Sequence, residues 1–387
     1  MAGMLTKATL SAAVADHRLR MRIGFYSPFT GSVGGGDRYL FMMLEEAARI
    51  REAELFVLTP ERPDVRLWEL VGVHVGAGSF EWRPTQAGEL RANSADLDLL
   101  VAIATDIPPS SGARRSVAVI QFPFRARDRG LLRVRTGAAR AVPLTEAARS
   151  LAGYDRYITY SAFAQEWTRR RLGVDAEVIA PPVDRPKVDL ATADRRRWIV
   201  SVGRFFRGGH EKRQDVLIDA FRALAVDGWE LHLVGTADDD SLLVPLQKRA
   251  SGLRTEFHVD LPRDDLLELY AQSSLFWHAT GFGVDPERHP ERLEHFGIST
   301  VEAMMYGVVP LVAPYGGQSE IVTDGVNGRH WTTIPELVTA TRSLIDSPYD
   351  WRRLSEAAAH DALRYETSLF RTAVRTRVLT LAATEPR

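Results

Sequence analysis

Short apolar runs alternate with polar stretches of helical period along most of the chain. MRIGFYSP (21–28) is an apolar run closed by proline and predicts a buried strand. The loop FTGSVGGG follows, and Asp37 is placed to cap a helix, DRYLFMMLEEAARI, in which Tyr39, Leu40, Met43 and Leu44 recur at helical spacing. ELFVLTP is the next strand. Strand, loop, helix, strand is how a parallel sheet begins. VGVHV (71–75), LDLLVAI (97–103), RSVAVIQF (115–122), RYITYS (156–161) and AEVIAPP (176–182) predict further strands.

Pro181-Pro182-Val183-Asp184 interrupts the series, and the composition turns charged as far as Arg197. The pattern then restarts. RWIVSVGRF, WELHLVG, RTEFHVD, SLFWHAT and VVPLVAP predict strands. DVLIDAFRAL, RDDLLELYAQ and STVEAMMYG predict helices between them. The expected organisation is α/β: two Rossmann-like, doubly wound domains facing a central cleft. The expected boundaries are an N-terminal extension at 1–20, domains at 21–183 and 184–365, and a C-terminal helix at 366–387. That last helix carries Leu369, Phe370 and Val374 on one face. It could pack on either domain and is a candidate to fold back on the first.

Composition narrows the chemistry. A formal charge of −1 over 387 residues gives no global attraction to nucleic acid. The absence of cysteine removes disulfides, thiolate nucleophiles and Cys-type metal sites. No H-E-x-x-H occurs, and no run approaches the roughly 18 apolar residues of a membrane span. The N-terminal MAGMLTKATLSAAVADHRLR has too weak an apolar stretch for an export signal, so a cytoplasmic location is expected. Arg125, Arg127, Arg129, Arg133, Arg135 and Arg140 form a local basic tract that suits either a solvated face or peripheral contact with an anionic membrane or acceptor.

Ligands of open parallel sheets bind at the carboxyl ends of strands, so the loops there are the candidates. Gly34-Gly35-Gly36 follows the first strand and would let backbone amides approach a phosphate, or would simply be a flexible turn. A nicotinamide fingerprint fails because Tyr39 stands where the third glycine belongs, and no Gly-Lys pair exists for a P-loop. Arg204 and Lys212 flank the loop after the first strand of the second half. Together they suit a phosphate, although an isolated pair is more often plain surface charge. In LEHFGISTVEAMMYG, a helix starting at Ser299 or Thr300 would point its first amides at an anion such as a diphosphate, and Gly307 would end it in a left-handed cap. Glu302, placed in the first turn, suits a ribose diol or merely the helix dipole. Glu294, outside the helix, suits sugar hydroxyls or is an ordinary loop charge. Asp238-Asp239-Asp240 reads as a solvated loop rather than a metal motif.

EHFGISTVEAM, then Gly307, VVPLV and GGQSEIV, together resemble the retaining glycosyltransferase family 4, which has the GT-B fold. Glu294 and Glu302 meet its E-x7-E signature, and SVGRFFRGGHEK resembles its Gly-Arg…Lys segment. HATGFGVDPERHPERLEHFG is similar to a subgroup of mannosyltransferases of oligosaccharide assembly. The resemblance covers 195–330, with Gly34–Gly36 matched more loosely. It implies that Arg204 and Lys212 hold a donor diphosphate, and that Phe296, Gly297, Ile298, Ser299 and Thr300 contact sugar and phosphate. It further implies that Glu302 binds ribose and Glu294 the donor sugar, that Phe257–Val259 sits at the base, and that Gly35 and Gly36 close on the donor. Gln121, in Gln121-Phe122-Pro123, stands where many relatives have a histidine and is an acceptor-side candidate that carries no charge. Lys212 is also further from Arg204 than in the common pattern.

The expected function is transfer of a hexose from a GDP-, UDP- or dTDP-linked sugar to an acceptor hydroxyl of a glycan, a lipid-linked molecule or a small molecule. Retention is implied by the resemblance. Arg204, Lys212 and the helix amides make a metal unnecessary, and no cofactor beyond the nucleotide-sugar is expected. Two alternatives are a nucleotide-sugar epimerase or hydrolase on the same fold and a non-catalytic nucleotide-sugar-binding protein.

Overall fold

The computed structural model describes residues 20–28, 35–69, 72–76, 78–105, 107–123, 146–187, 194–206, 211–237 and 240–384. The expected N-terminal extension, the basic tract Arg125–Arg140, Gly34 and Asp238-Asp239 lie outside them. The fold forms two units. One holds the described residues up to Ile158, with Thr168–Glu177 and Arg371 onward. The other holds Thr159–Trp167 and Val178–Phe370.

The first unit has a seven-stranded sheet of β1 (Met21–Tyr26), β2 (Ala53–Thr59), β3 (Glu81–Pro84), β4 (Leu99–Ala104), β5 (Arg115–Ile120), β6 (Arg156–Thr159) and β7 (Glu177–Val178) in the order β3-β2-β1-β4-β5-β6-β7. β1 pairs in parallel with β2 and β4. LLVAIA of β4 and RSVAVI of β5 are buried at every position, the signature of strands covered on both faces.

The second sheet holds β8 (Trp198–Val202), β9 (Glu230–Gly235), β10 (Thr255–Val259), β11 (Leu275–His278), β12 (Val309–Val312) and β13 (Arg329–His330) in the order β10-β9-β8-β11-β12-β13, again parallel. Its core includes Ile199, Leu217, Leu233, Trp277, Leu311 and Trp331.

Several local expectations are corrected. VGVHV forms no strand among its described residues. Val73 and Val75 are buried there without joining the sheet, whose edge is instead β3. Helix α1 (Gly35–Ala47) starts before Asp37, which lies inside the first turn and accepts a hydrogen bond from the Ser27 hydroxyl at 3.3 Å. In helix α2 (Thr367–Arg377), Leu369 is exposed and the buried stripe is Phe370, Val374 and Val378, spaced by four. Two ion pairs tie this tail to α1: Arg371 to Glu45 at 2.6 Å and Arg375 to the buried Glu46 at 2.5 Å.

Candidate active site

In the second unit β8 lies between β9 and β11, so successive crossovers leave β8 in opposite directions. Loops diverge at such a switch point and leave a crevice above the strand ends. β8 runs into Gly203-Arg204, and β11 ends on His278. A Cβ at Gly203 would lie 2.5 Å from Lys212 Cγ, so glycine is what lets the lysine stem cross the strand end. Lys212 is followed by Arg213 in the left-handed region at φ 52°, an unusual conformation for a residue with a side chain. Arg213 is held there by a forked pair to Asp215 at 3.1 and 3.2 Å and by a bond to the Phe282 carbonyl at 2.8 Å. The buried Gln214 then opens helix α3 (Gln214–Leu224) and donates its amide to the carbonyls of Gly203 and Arg204, at 3.1 and 3.2 Å.

Lys212 and His278 meet on Glu294. Lys212 Nζ lies 2.6 Å from Glu294 Oε2, and His278 Nε2 lies 3.0 Å from the same oxygen. Among the described residues no donor reaches Oε1. Burial pushes the Glu294 carboxyl up, but the Lys212 charge and the His278 bond outweigh it and hold the group well below the usual carboxylate range. Burial lowers the His278 pKa against the opposing pull of Glu294, so the imidazole is neutral. Glu294 is therefore an ionised acceptor with one oxygen pinned and the other available.

The turn that carries Glu294 is fixed through its backbone. The Glu294 carbonyl accepts from the Gly317 amide at 2.8 Å, and the His295 carbonyl from the Ser161 hydroxyl at 2.5 Å. A Cβ at Gly317 would lie 2.5 Å from the Phe296 carbonyl oxygen, so the Gly316-Gly317 pair packs flat against this turn. Gly297, at φ 117°, turns the chain into helix α4 (Ile298–Met305), and a Cβ there would meet Gln318 Nε2 at 2.6 Å. The helix starts one residue earlier than expected, which puts Glu302 in its second turn. Gly307, at φ 68°, lies just past its end in the left-handed conformation expected of a cap.

Glu302 is buried and already partnered. Arg263 Nη2 lies 2.7 Å from its Oε1, and the Tyr270 hydroxyl lies 3.5 Å from Oε2. Burial would lower the Arg263 pKa, but the Glu302 charge overcomes this and raises it. Thr300 is fully buried, and its hydroxyl accepts from Gln318 Nε2 at 2.9 Å. The Phe296 ring is buried edge-on to Tyr365, so only its backbone is offered to the crevice. Ile298 and Ser299 are half-buried at the helix start. Arg204 is exposed, with its guanidinium 4.7 Å above the Phe206 ring, and makes no ion pair among the described residues. Phe257 packs against the core beside Phe205, and Val259, at the end of β10, is exposed. In the first unit, Gly36 lies against the Gln121 side chain, which fills the space a Cβ would need. Among the described residues no group of three or more His, Asp or Glu side chains is placed to hold a metal ion, and no helix is long and apolar enough to cross a membrane.

Residues 184–361 match the family Glycosyl transferases group 1, a span that contains Arg204, Lys212, Glu294, Glu302 and Gln318. The matched span falls within the second unit. Among curated relatives, glycogen synthase of Deinococcus deserti is 30% identical over 156 residues, covering 39% of this chain and 32% of that protein. Sucrose synthase of Melioribacter roseus is 35% identical over 104 residues, covering 25% and 12%. The chain thus spans about a third or less of the length of these relatives. Among solved structures, Anabaena HepE in complex with UDP has TM-score 0.68 at 19% identity, covering 94% of this chain and 100% of that one. Sucrose-phosphate synthase from Thermosynechococcus elongatus has TM-score 0.66 at 17% identity, covering 94% and 100%. The two parallel-sheet α/β units share the GT-B architecture with these structures.

Within the matched span, sequence reasoning missed His278, Arg263, Tyr270 and Gln318. His278 sits inside an apolar strand run, LFWH, and nothing in its spacing links it to Glu294 sixteen residues later. Arg263 and Tyr270 read as ordinary members of a charged helix, RDDLLELYAQ. Gln318 was visible only as a letter in GGQSEIV.

Proposed function

We propose that this chain transfers a hexose from a nucleoside-diphosphate sugar to an acceptor hydroxyl, with retention at the anomeric carbon and without a metal. The observation that carries this reading is the Glu294 carboxylate. Its Oε2 is held by Lys212 and His278, and its Oε1 is open beside a lysine at the sheet's switch point. An ionised acceptor with one open oxygen suits a neutral sugar hydroxyl, and an adjacent cation suits the phosphate to which that sugar is attached.

Lys212, Arg204 and the first amides of α4 would stabilise the leaving diphosphate as charge develops on it. The acceptor oxygen would attack the anomeric carbon from the face the diphosphate leaves. The carbon–phosphate-oxygen bond breaks with its electron pair going to the diphosphate, which takes the acceptor's proton. No protein nucleophile is needed. Glu302, held by Arg263, would accept from the ribose hydroxyls. UDP is the first donor nucleotide to test, because HepE was solved with UDP and with UDP-glucose. A GDP-linked mannose is the candidate that the subgroup resemblance suggests. We place the protein in the cytoplasm, with the basic tract Arg125–Arg140 available for membrane-peripheral contact.

A thermal-shift panel of UDP, GDP, dTDP and ADP tests the nucleotide, since a specific binder raises Tm by mass action. The matching sugar nucleotide is then assayed with and without candidate acceptors, and the anomeric configuration of the product is read by NMR. No shift with any nucleotide would remove the donor reading. Release of free sugar alone, with no product on any acceptor, would favour a hydrolase.

A further inference from the structure

We propose that His278 is a positioning residue for the donor sugar: its Nε2–H holds Glu294 Oε2 at 3.0 Å and so aims Oε1 at a sugar hydroxyl. This rests on the reading of Glu294 as the sugar-binding carboxylate.

Three observations point to it. First, two donors converge on one oxygen of Glu294 from different elements, Lys212 before α3 and His278 at the end of β11, and together they set the plane of the carboxylate. Second, Lys212 is a cation that a donor diphosphate would attract, and were it to turn to the phosphate His278 would be the contact left on Glu294. Third, the imidazole is buried and its Nδ1 has no hydrogen-bond partner among the described residues. A buried nitrogen left unpaired calls for a reason, because an apolar residue would fill the strand end without that penalty. With a neutral ring, Nδ1 bare and Nε2 protonated is the only tautomer that donates to Glu294. The depressed pKa of His278 agrees with this state, and the groups facing it are Glu294 and Lys212.

The test uses the purified full chain. His278→Gln keeps an N–H near the place of Nε2, and His278→Met removes it at similar size. UDP and UDP-glucose are titrated by calorimetry into wild type and both variants, with Tm recorded for each. His278→Met should lose about tenfold or more in UDP-glucose affinity, the scale of one hydrogen bond to a charged group. UDP affinity should change by less than about twofold, and His278→Gln should recover most of the loss. Equal loss of UDP and UDP-glucose, or UDP-glucose binding unchanged in His278→Met, overturns the proposal. In ligand-free protein at pH 8, imidazole nitrogen NMR, with His278 assigned by its disappearance in His278→Gln, should show the Nε2–H tautomer. An Nδ1–H tautomer, whose bare Nε2 cannot donate, would overturn the contact itself. A wild type that ignores UDP-glucose while showing the Nε2–H tautomer refutes the sugar role through the donor assignment, and leaves His278 as a structural support of Glu294.

Discussion

Arg263 Nη2 and Glu302 Oε1 form an ion pair at 2.7 Å inside the second unit, with the glutamate side chain 7% exposed. The pair joins the helix after β10 to helix α4. Removing one partner strands a buried charge, which costs about 3–5 kcal/mol. Arg263→Met is therefore expected to lower the urea midpoint strongly, and the double variant Arg263→Met with Glu302→Met to regain much of it. A urea titration of the four proteins measures the coupling. Additive losses would show that the pair is not an energetic unit.

Gly317→Ala puts a Cβ 2.5 Å from the Phe296 carbonyl oxygen and 2.6 Å from its Cα. Both contacts are backbone, so the turn carrying Glu294 must shift. Overpacking of this kind costs about 1–3 kcal/mol. The expected outcome is a lower Tm together with a KM for the sugar nucleotide raised by roughly tenfold. A variant with wild-type Tm and KM would mean that the turn tolerates the shift and that the close packing does not set the site.

Arg204 is exposed and unpaired among the described residues, so Arg204→Ala should change stability by less than about 0.5 kcal/mol. If it clamps the diphosphate, the same variant should weaken nucleoside-diphosphate binding by about 10–100-fold, from a charge-assisted bond of roughly 1.5–3 kcal/mol. Calorimetry at two salt concentrations checks both size and screening. Unchanged affinity would assign the phosphate to Lys212 and the α4 amides alone.

His232 and His258 share a hydrogen bond at 3.0 Å on neighbouring strands β9 and β10, close to Glu230 and Arg196. Burial first, and the neighbouring His258 second, lower the His232 pKa from about 6.5 to about 4. Between those values the unfolded chain binds the extra proton and the folded one does not. Stability from this source is complete above about pH 6.5 and falls as pH drops toward about 4. Urea unfolding at pH 7, 6 and 5 should show the decline, and His232→Phe should reduce it. Stopping at pH 5 keeps most of the carboxylate titration out of the measurement. An identical slope in the variant would place the dependence elsewhere.

Much of the architecture was legible because apolar runs of period two and amphipathic runs of period 3.6 report local backbone state. β5, β8, β9 and β12 fall within the runs that announced them. VGVHV misled because an apolar run records burial, not hydrogen-bonded pairing, and Val73 and Val75 are buried without entering the sheet. β13, two residues long, carries too little pattern to announce itself.

By itself the sequence determined two parallel α/β halves, a helix beginning within a residue or two of its actual start at Ile298, and the candidate set Arg204, Lys212, Glu294 and Glu302. These are local matters: side-chain periodicity, glycine at a positive φ, charges next to strand ends. Only the tertiary structure decided what each carboxylate touches. Glu302 turned inward to Arg263, Glu294 met Lys212 across the strand end, and His278 came up beneath it from β11. Those partners are 39, 82 and 16 residues apart in sequence. Their meeting follows from strand order at the switch point, and strand order is a long-range property that no local window of residues encodes.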